Sequence, residues 1–467
     1  MTDLAELLER ARTASPENHI SIAVAAYNHM AASVANQDYD TVGLLVEAIP
    51  EHWVPEEHRA TWLLAGAHAI MHSTNPFVSR QRAIMDRFAA ACVRPYCAAR
   101  TPRLARVRPR RKIAVGFIGG VLAGTAYADR GIRDVLRGLD RDRLEVHALT
   151  LTAEAVVDKD WLGVDCVHAI GDESAGEHHL RVLGLDVLVY LDGVVPSMPW
   201  RLLAARTTQR QLAWIHTHLT FGSGMIDGQI ADLNLIPQQD RVWYAEPVLD
   251  LEGTASSCRL MPRYSAAGPG PIITAGHITF GSFNRPSKIS QACAHAWSQI
   301  LQALPSALLL IVNEALVRPV ERQALEARLQ QARVPMDRVI FDTGGSDEVF
   351  FGRYSDVDLI LDSFPFVGGL TSFDALAQSV PILTLEGPGF VERQSGTLLR
   401  AIGEPDLVTS TVNDYVTMAI ALAGQPERLT ALRLSLRERA ATSSVFDMTS
   451  LAQRMSDLLV AQAARKL

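Results

Sequence analysis

The chain has little cysteine, and none of it is paired by spacing. Among its 467 residues, Cys92, Cys97, Cys166, Cys258 and Cys293 form no CxxC pair and no zinc-type spacing. They read as reduced thiols, which excludes a disulfide-framed secreted scaffold. No apolar run is long enough to span a bilayer. The start, with Asp3, Glu6 and Glu9, lacks the apolar core of a signal peptide. A soluble, cytoplasmic protein is therefore expected. Positive charge is not in excess. The net charge of −7 argues against a surface made for nucleic acid. With 48% hydrophobic and 20% charged residues the composition is globular, and the length exceeds one ordinary core, so two or three domains are expected.

Residues 1–92 show apolar side chains at helical spacing, in Leu4, Leu7, Leu8 and Ala11 and again in Ile22, Ala25, Ala26, Met30 and Val34. Pro50, Pro55 and Pro76 punctuate them. Paired antiparallel helices follow, with structural packing favoured over a dedicated peptide-binding surface; no firm repeat period is present. The segment 93–111 carries Arg94, Arg100, Arg103, Arg106, Arg108, Arg110 and Arg111 with no acid and three prolines. It reads as a solvated basic linker, with contact to phosphate or an acidic partner as the alternative.

From Lys112 the rhythm changes. Apolar strand-type runs recur at 113–118, 144–149, 185–191, 211–215 and 231–236. After a Ser/Ala/Gly/Pro-rich stretch at 254–271, read as a hinge, they recur at 278–282, 307–312, 338–341, 358–361 and 381–385. Continuous apolar strands alternating with helices imply parallel sheets covered on both faces. The fold class is α/β: two doubly wound Rossmann-like domains, at 112–253 and 272–467, facing a cleft behind an all-helical N-terminal domain. The last stretch, 450–467, reads as a closing helix. Such a layout places ligands between the carboxyl ends of the strands.

One segment, Leu359 to Leu376, is the most informative. An apolar run ends at Asp362, a Pro/Gly loop follows, and a helix pattern opens near Leu370. The first helical N–H groups have no internal acceptors and attract an anion. Gly368 and Gly369 let the backbone approach a phosphate. Thr371 adds a hydroxyl, and Asp374 is placed to accept from a ribose. An ordinary strand-to-helix turn has the same outline. The run Phe280-Gly281-Ser282-Phe283-Asn284-Arg285-Pro286-Ser287-Lys288-Ile289 ends another strand with a lysine just ahead of a helix. Lys288 there can neutralise a diphosphate leaving group, or be a surface lysine.

These two segments resemble the corresponding elements of the O-linked N-acetylglucosamine transferases and their SPINDLY-like relatives. So does Val380 to Leu385, and so does Val391 to Leu399. The match is looser over Ala114 to Phe117, Leu191 to Gly193 and Gln211 to Trp214, and overall it covers roughly residues 112–465. Bacterial cytoplasmic N-glucosyltransferases are close relatives. The resemblance implies the GT-B architecture, a UDP-sugar donor, inversion at the anomeric carbon and no metal or other cofactor. It implies that Asn284 and Lys288 meet the donor, that Gly368, Gly369 and Thr371 cradle the diphosphate, and that Asp374 holds the ribose. Arg353 falls near the uracil, and Phe350 stands where the family has a histidine against the base.

Two departures stand out. The loop after the first strand, Gly119 to Ala126, lacks the family's His-Pro. The loop after the strand at 211–215 reads Ile215-His216-Thr217-His218. His216 and His218 are candidates for a catalytic base or acceptor contact, or a structurally bonded pair; their spacing suits a metal, but no third ligand is at hand. Asp192 contacts sugar or acceptor, or caps a turn. The expected activity is transfer of a hexose or N-acetylhexosamine from a UDP-sugar to a protein Ser/Thr or Asn side chain. Transfer to a glycan, lipid-linked or small-molecule acceptor is one alternative, and a non-catalytic UDP-sugar-binding protein is another. No nucleic-acid partner is expected.

Overall fold

The computed structural model describes residues 4–35, 38–73, 78–99, 112–151, 157–171, 173–216, 218–261 and 268–465. Helices Leu4–Arg12, His19–Ala35, Tyr39–Ala48, Glu56–Ile70 and Val78–Phe88 form the N-terminal layer. The helical path does not stop at residue 92. It continues through Ala89–Val93 into Arg94–Ala98, so the first of the expected linker residues are helical; residues 100–111, with most of its arginines, lie outside the described residues. No helix among the described residues is long and apolar enough to cross a membrane.

The helical layer is not a separate module. Trp62, Leu63, Ile70 and Phe88 share one buried cluster with Ile118, Leu149 and Tyr190 of the first sheet and with Phe366 and Val391 of the second domain. Burying side chains of this size contributes about 1.5–3 kcal/mol each, and the continuous cluster spreads that gain over all three parts.

The first sheet holds β1 (Ile113–Ile118), β2 (Leu144–Thr150), β3 (Cys166–Ala169), β4 (Val187–Tyr190), β5 (Arg210–Ala213), β6 (Gly228–Ala231) and β7 (Val248–Asp250). All pairings are parallel, and the order is β3-β2-β1-β4-β5-β6-β7. The run expected as a strand at 231–236 is mostly the turn that follows β6, because Asp232 folds back to accept from the amides of Asn234 and Leu235. The second sheet holds β8 (Thr279–Ser282), β9 (Leu308–Val312), β10 (Val339–Asp342), β11 (Leu359–Leu361), β12 (Ile382–Leu385) and β13 (Val408–Thr409), in the order β10-β9-β8-β11-β12-β13. Each order reverses direction once, between β1 and β4 and between β8 and β11. Such switch points are where doubly wound sheets open a crevice beyond the strand ends.

The two domains are joined twice. Residues 254–261, part of the expected hinge, are buried or partly buried and run beside a second crossing near residue 444. Thr254 Oγ1 and Ser257 Oγ donate to the Ser444 carbonyl at 3.0 and 2.7 Å, and the Cys258 amide donates to Val445 at 3.1 Å. Helix Met448–Ala463, expected to close the second domain, packs instead on the first. Met448, Leu451, Met455 and Leu459 are buried with Val115, Leu136 and Val189.

Candidate functional site

The two loops singled out in the second domain meet at its switch point. Strand β8 ends at Ser282 and β11 at Leu361, and the strands are paired, so their loops leave side by side. The Asp362 carboxylate, 1% exposed, joins them. One oxygen accepts from Asn284 Nδ2 at 2.9 Å and from the Gly368 amide at 2.8 Å, and the other from Thr384 Oγ1 at 2.9 Å. Burial pushes its pKa up, against the pull of those hydrogen bonds and of Lys288. Asn284 in turn accepts from Thr371 Oγ1 at 2.9 Å. The loop after β8 is thereby pinned to the first turn of helix Leu370–Ala377.

Lys288 completes the junction. Its Nζ donates to the Val367 carbonyl at 2.9 Å and lies 3.9 Å from the centre of the Phe366 ring. Removal from water lowers its pKa to about 7, with Asp362 opposing and Arg285 assisting. A lysine poised in this way gains charge when an anion arrives. The sign for binding follows. A bound diphosphate favours the ammonium and raises the pKa, so binding takes up a proton above about pH 7. UDP affinity is expected to fall as pH rises through 7, approaching tenfold per unit. Calorimetry in buffers of different ionisation enthalpy reads that proton directly; a flat profile with no proton uptake sinks the assignment.

The amides of Leu370 and Thr371, at the start of an eight-residue helix, have no acceptor within it. They face a cavity of about 490 Å³ that Lys288, Asn284 and Gly369 also line. Gly369 is the N-cap residue, with φ −113° and ψ −103°.

The opposite wall comes from the first domain. Asp192 lines the cavity, but its carboxylate is committed, accepting from the Gly120 and Val121 amides at 2.5 and 2.9 Å. It caps the loop after β1 and ties together both sides of that switch point. His216 follows a tight turn in which its amide donates to Trp214 O at 3.1 Å across Ile215, a β-branched residue held at φ 75°. That is a strained γ-turn, tolerated where a side chain must be aimed. Gly193, at φ 74°, leaves it room, since a Cβ there would lie 2.0 Å from the His216 carbonyl oxygen. His216 Nδ1 lies 3.0 Å from the Leu191 carbonyl, so that nitrogen carries the proton and Nε2 keeps a lone pair. Burial holds His216 below the ordinary imidazole pKa, against Leu191 and Asp192, and holds His218 well below it. Both rings line the cavity as neutral bases.

The third wall was not legible in the sequence. His68 and His72, at the end of helix Glu56–Ile70 and just beyond it, line the same cavity together with Tyr39. Burial lowers both pKa values, and neither Nδ1 has a hydrogen-bond partner among the described residues. His72 and His218 both pack on Phe366, with ring centres 5.2 and 5.5 Å away. Nothing local marks these residues, because the contact depends on the helical layer closing over both domains. A second cavity, of about 410 Å³, shares Tyr39, His72 and Ser287 and runs between the helical layer and the second domain.

Four expected contacts are placed differently. Asp374, expected at a ribose, is 2% exposed and its carboxylate is gripped by Arg130 of the first domain. Arg353, expected near a base, pairs with Asp342 at 2.8 Å and Asp356 at 3.1 Å. Phe350 packs edge-on to Phe283 and Tyr354, and Phe283 is the aromatic of that group that reaches the cavity. Gly368 spends its amide on Asp362 rather than on a ligand. The small loop there is still required, since a Cβ on Gly368 would lie 2.1 Å from Ser372 Oγ.

Two doubly wound domains with a cleft between their switch points define a GT-B-type fold, and the cleft is lined by a lysine and helix-terminal amides. Residues 273–455 match the model of Glycosyl transferase family 41. Over 285 residues, 61% of this chain and 31% of the relative, the sequence is 28% identical to a probable UDP-N-acetylglucosamine–peptide N-acetylglucosaminyltransferase SPINDLY of Petunia hybrida. Over 184 residues it is 26% identical to the UDP-N-acetylglucosamine–peptide N-acetylglucosaminyltransferase of Caenorhabditis elegans, covering 39% of this chain and 16% of that one. The chain spans about a third or less of the length of these curated relatives. A mutant O-GlcNAc transferase of Thermobaculum terrenum has a similar fold over 99% of both chains, with TM-score 0.76 and 22% identity. Over these stretches the chain is similar to the O-GlcNAc transferase and SPINDLY-like glycosyltransferases, and its fold is that of the Thermobaculum enzyme.

Proposed function

We propose that this protein is an inverting, metal-independent glycosyltransferase. It moves a hexose or N-acetylhexosamine from a UDP-sugar to a protein side chain, Ser/Thr or Asn. The observation that carries the reading is the convergence of Lys288 and the start of helix Leu370–Ala377 on one cavity. The diphosphate lies over the Leu370 and Thr371 amides with Lys288 beside it. In the reaction the acceptor oxygen or nitrogen attacks the anomeric carbon from the face opposite the diphosphate. The C–O bond to the diphosphate breaks, its electron pair leaves with UDP, and the acceptor proton passes to a base. Lysine and helix-terminal amides stabilise the charge that grows on the leaving group. His216, with Nδ1 held by Leu191, offers Nε2 for the proton. The relatives' printed activity on peptides supports a protein acceptor, and the second cavity beside Tyr39 and His72 offers a path for it.

The test is UDP release with a panel of UDP-sugars and the cell's own proteins, read together with the mass of the labelled acceptor. His216→Ala is expected to lower kcat by about 10²–10⁴-fold, the range for a positioned base, with UDP affinity little changed. Absence of UDP binding by the wild-type protein defeats the reading. An unaltered kcat in His216→Ala removes only the base.

A further inference from the structure

A second constellation lies on the first sheet, away from the cleft. Strands β2 and β3 run parallel, with His147 opposite Cys166 and Leu149 opposite His168. Side chains alternate along a strand, so Cys166 and His168 share a face and His147 stands beside them on the neighbouring strand. One ligand atom from each lies within 4.8 Å of the others. His147 Nδ1 and His168 Nε2 are 3.0 Å apart. We propose that His147, Cys166 and His168 bind a divalent transition metal of the zinc class, clamping the edge strand β3 to β2.

The outer nitrogens support the assignment. His168 Nδ1 lies 3.3 Å from His179 Nε2, on helix Glu173–Leu183, and His147 Nε2 lies 3.5 Å from Glu145 Oε1. Partners of this kind orient ligating imidazoles in metal centres. If both outer nitrogens carry protons to satisfy them, the inner nitrogens face each other lone pair to lone pair. A cation between them resolves that conflict. Without one, the rings form a single relay, His179 Nε2–H donating to His168 Nδ1 and His168 Nε2–H to His147 Nδ1.

Two imidazoles and a thiolate suit Zn²⁺ and its neighbours and do not suit Mg²⁺ or Ca²⁺. Three protein ligands leave one position for water. Cys166 and His168 are partly exposed, so an ion has a way in. None of these residues borders the transfer cavity, so the ion braces the sheet and takes no part in the transfer chemistry.

The full chain, reduced and stripped with chelator, is titrated with Co²⁺ and then Zn²⁺. The expected result is one equivalent bound, tetrahedral cobalt bands and a thiolate-to-cobalt charge-transfer band that Cys166→Ser abolishes. His179→Ala keeps the stoichiometry and loses about 10–100-fold in affinity. X-ray absorption of the wild-type zinc form, which depends on no variant folding, is expected to show one sulfur among nitrogen or oxygen neighbours. A zinc shell without sulfur, or no retained equivalent of either metal, overturns the site.

Discussion

Replacing Lys288 by alanine is expected to lower the rate of sugar transfer by at least about 10²–10³-fold while the fold survives. The rate loss follows from the charge balance. In the proposed reaction, leaving-group charge falls on Lys288 and on helix amides, and losing one such preorganised donor costs about 3–4 kcal/mol of barrier. The fold survives because the side chain is a burden to the empty protein. Removal from water has already lowered its pKa to about 7, so alanine relieves a desolvation penalty. Lys288→Arg is expected to recover little, because Nζ is seated between the Val367 carbonyl and the Phe366 face, where a planar fork has no matching partner. Single-turnover kinetics and thermal melts on both variants decide it. A Lys288→Ala enzyme keeping more than about a tenth of its rate would falsify the leaving-group role, whatever its stability.

Asp374→Ala is expected to be the most destabilising single change near the cleft. Its partner Arg130 sits on the other domain, 244 residues away in sequence, and the two side chains are 3% and 6% exposed. Breaking a buried pair from one side costs about 3–5 kcal/mol, because a charge is left in a place that cannot solvate it. The companion Arg130→Met/Asp374→Leu, which removes both charges, is expected to recover most of the loss. Urea denaturation of the single and double variants closes the cycle. The outcome also separates two roles. If Asp374→Ala melts like the wild type yet loses UDP, the carboxylate is a nucleotide contact and the latch between domains is wrong.

Much of this architecture could be read from the chain because its signals are local. Strands buried on both faces are unbroken apolar runs, and Ile113–Ile118 and Leu144–Thr150 stand out as such. Cys166–Ala169 does not, because it is only four residues long, carries a histidine, and lies on a partly exposed edge. The meeting of Lys288 with the glycine loop was legible because both loops leave neighbouring strands at a switch point. The pairing of Arg130 with Asp374 was not legible, for the opposite reason. Its spacing from Gly369 suits a ribose, but its partner arrives from a distant segment that no local pattern announces. His68 and His72 belong to the same class of surprise, since their role depends on three layers closing together.

The helix Met448–Ala463 has a consequence for how the molecule is made. Its apolar face completes the hydrophobic layer under β1 and β4, whose strands were synthesised some three hundred residues earlier. The first domain therefore cannot finish folding as it emerges from the ribosome. Its sheet waits with one flank uncovered until residues 448–463 are free, a window in which aggregation competes with assembly.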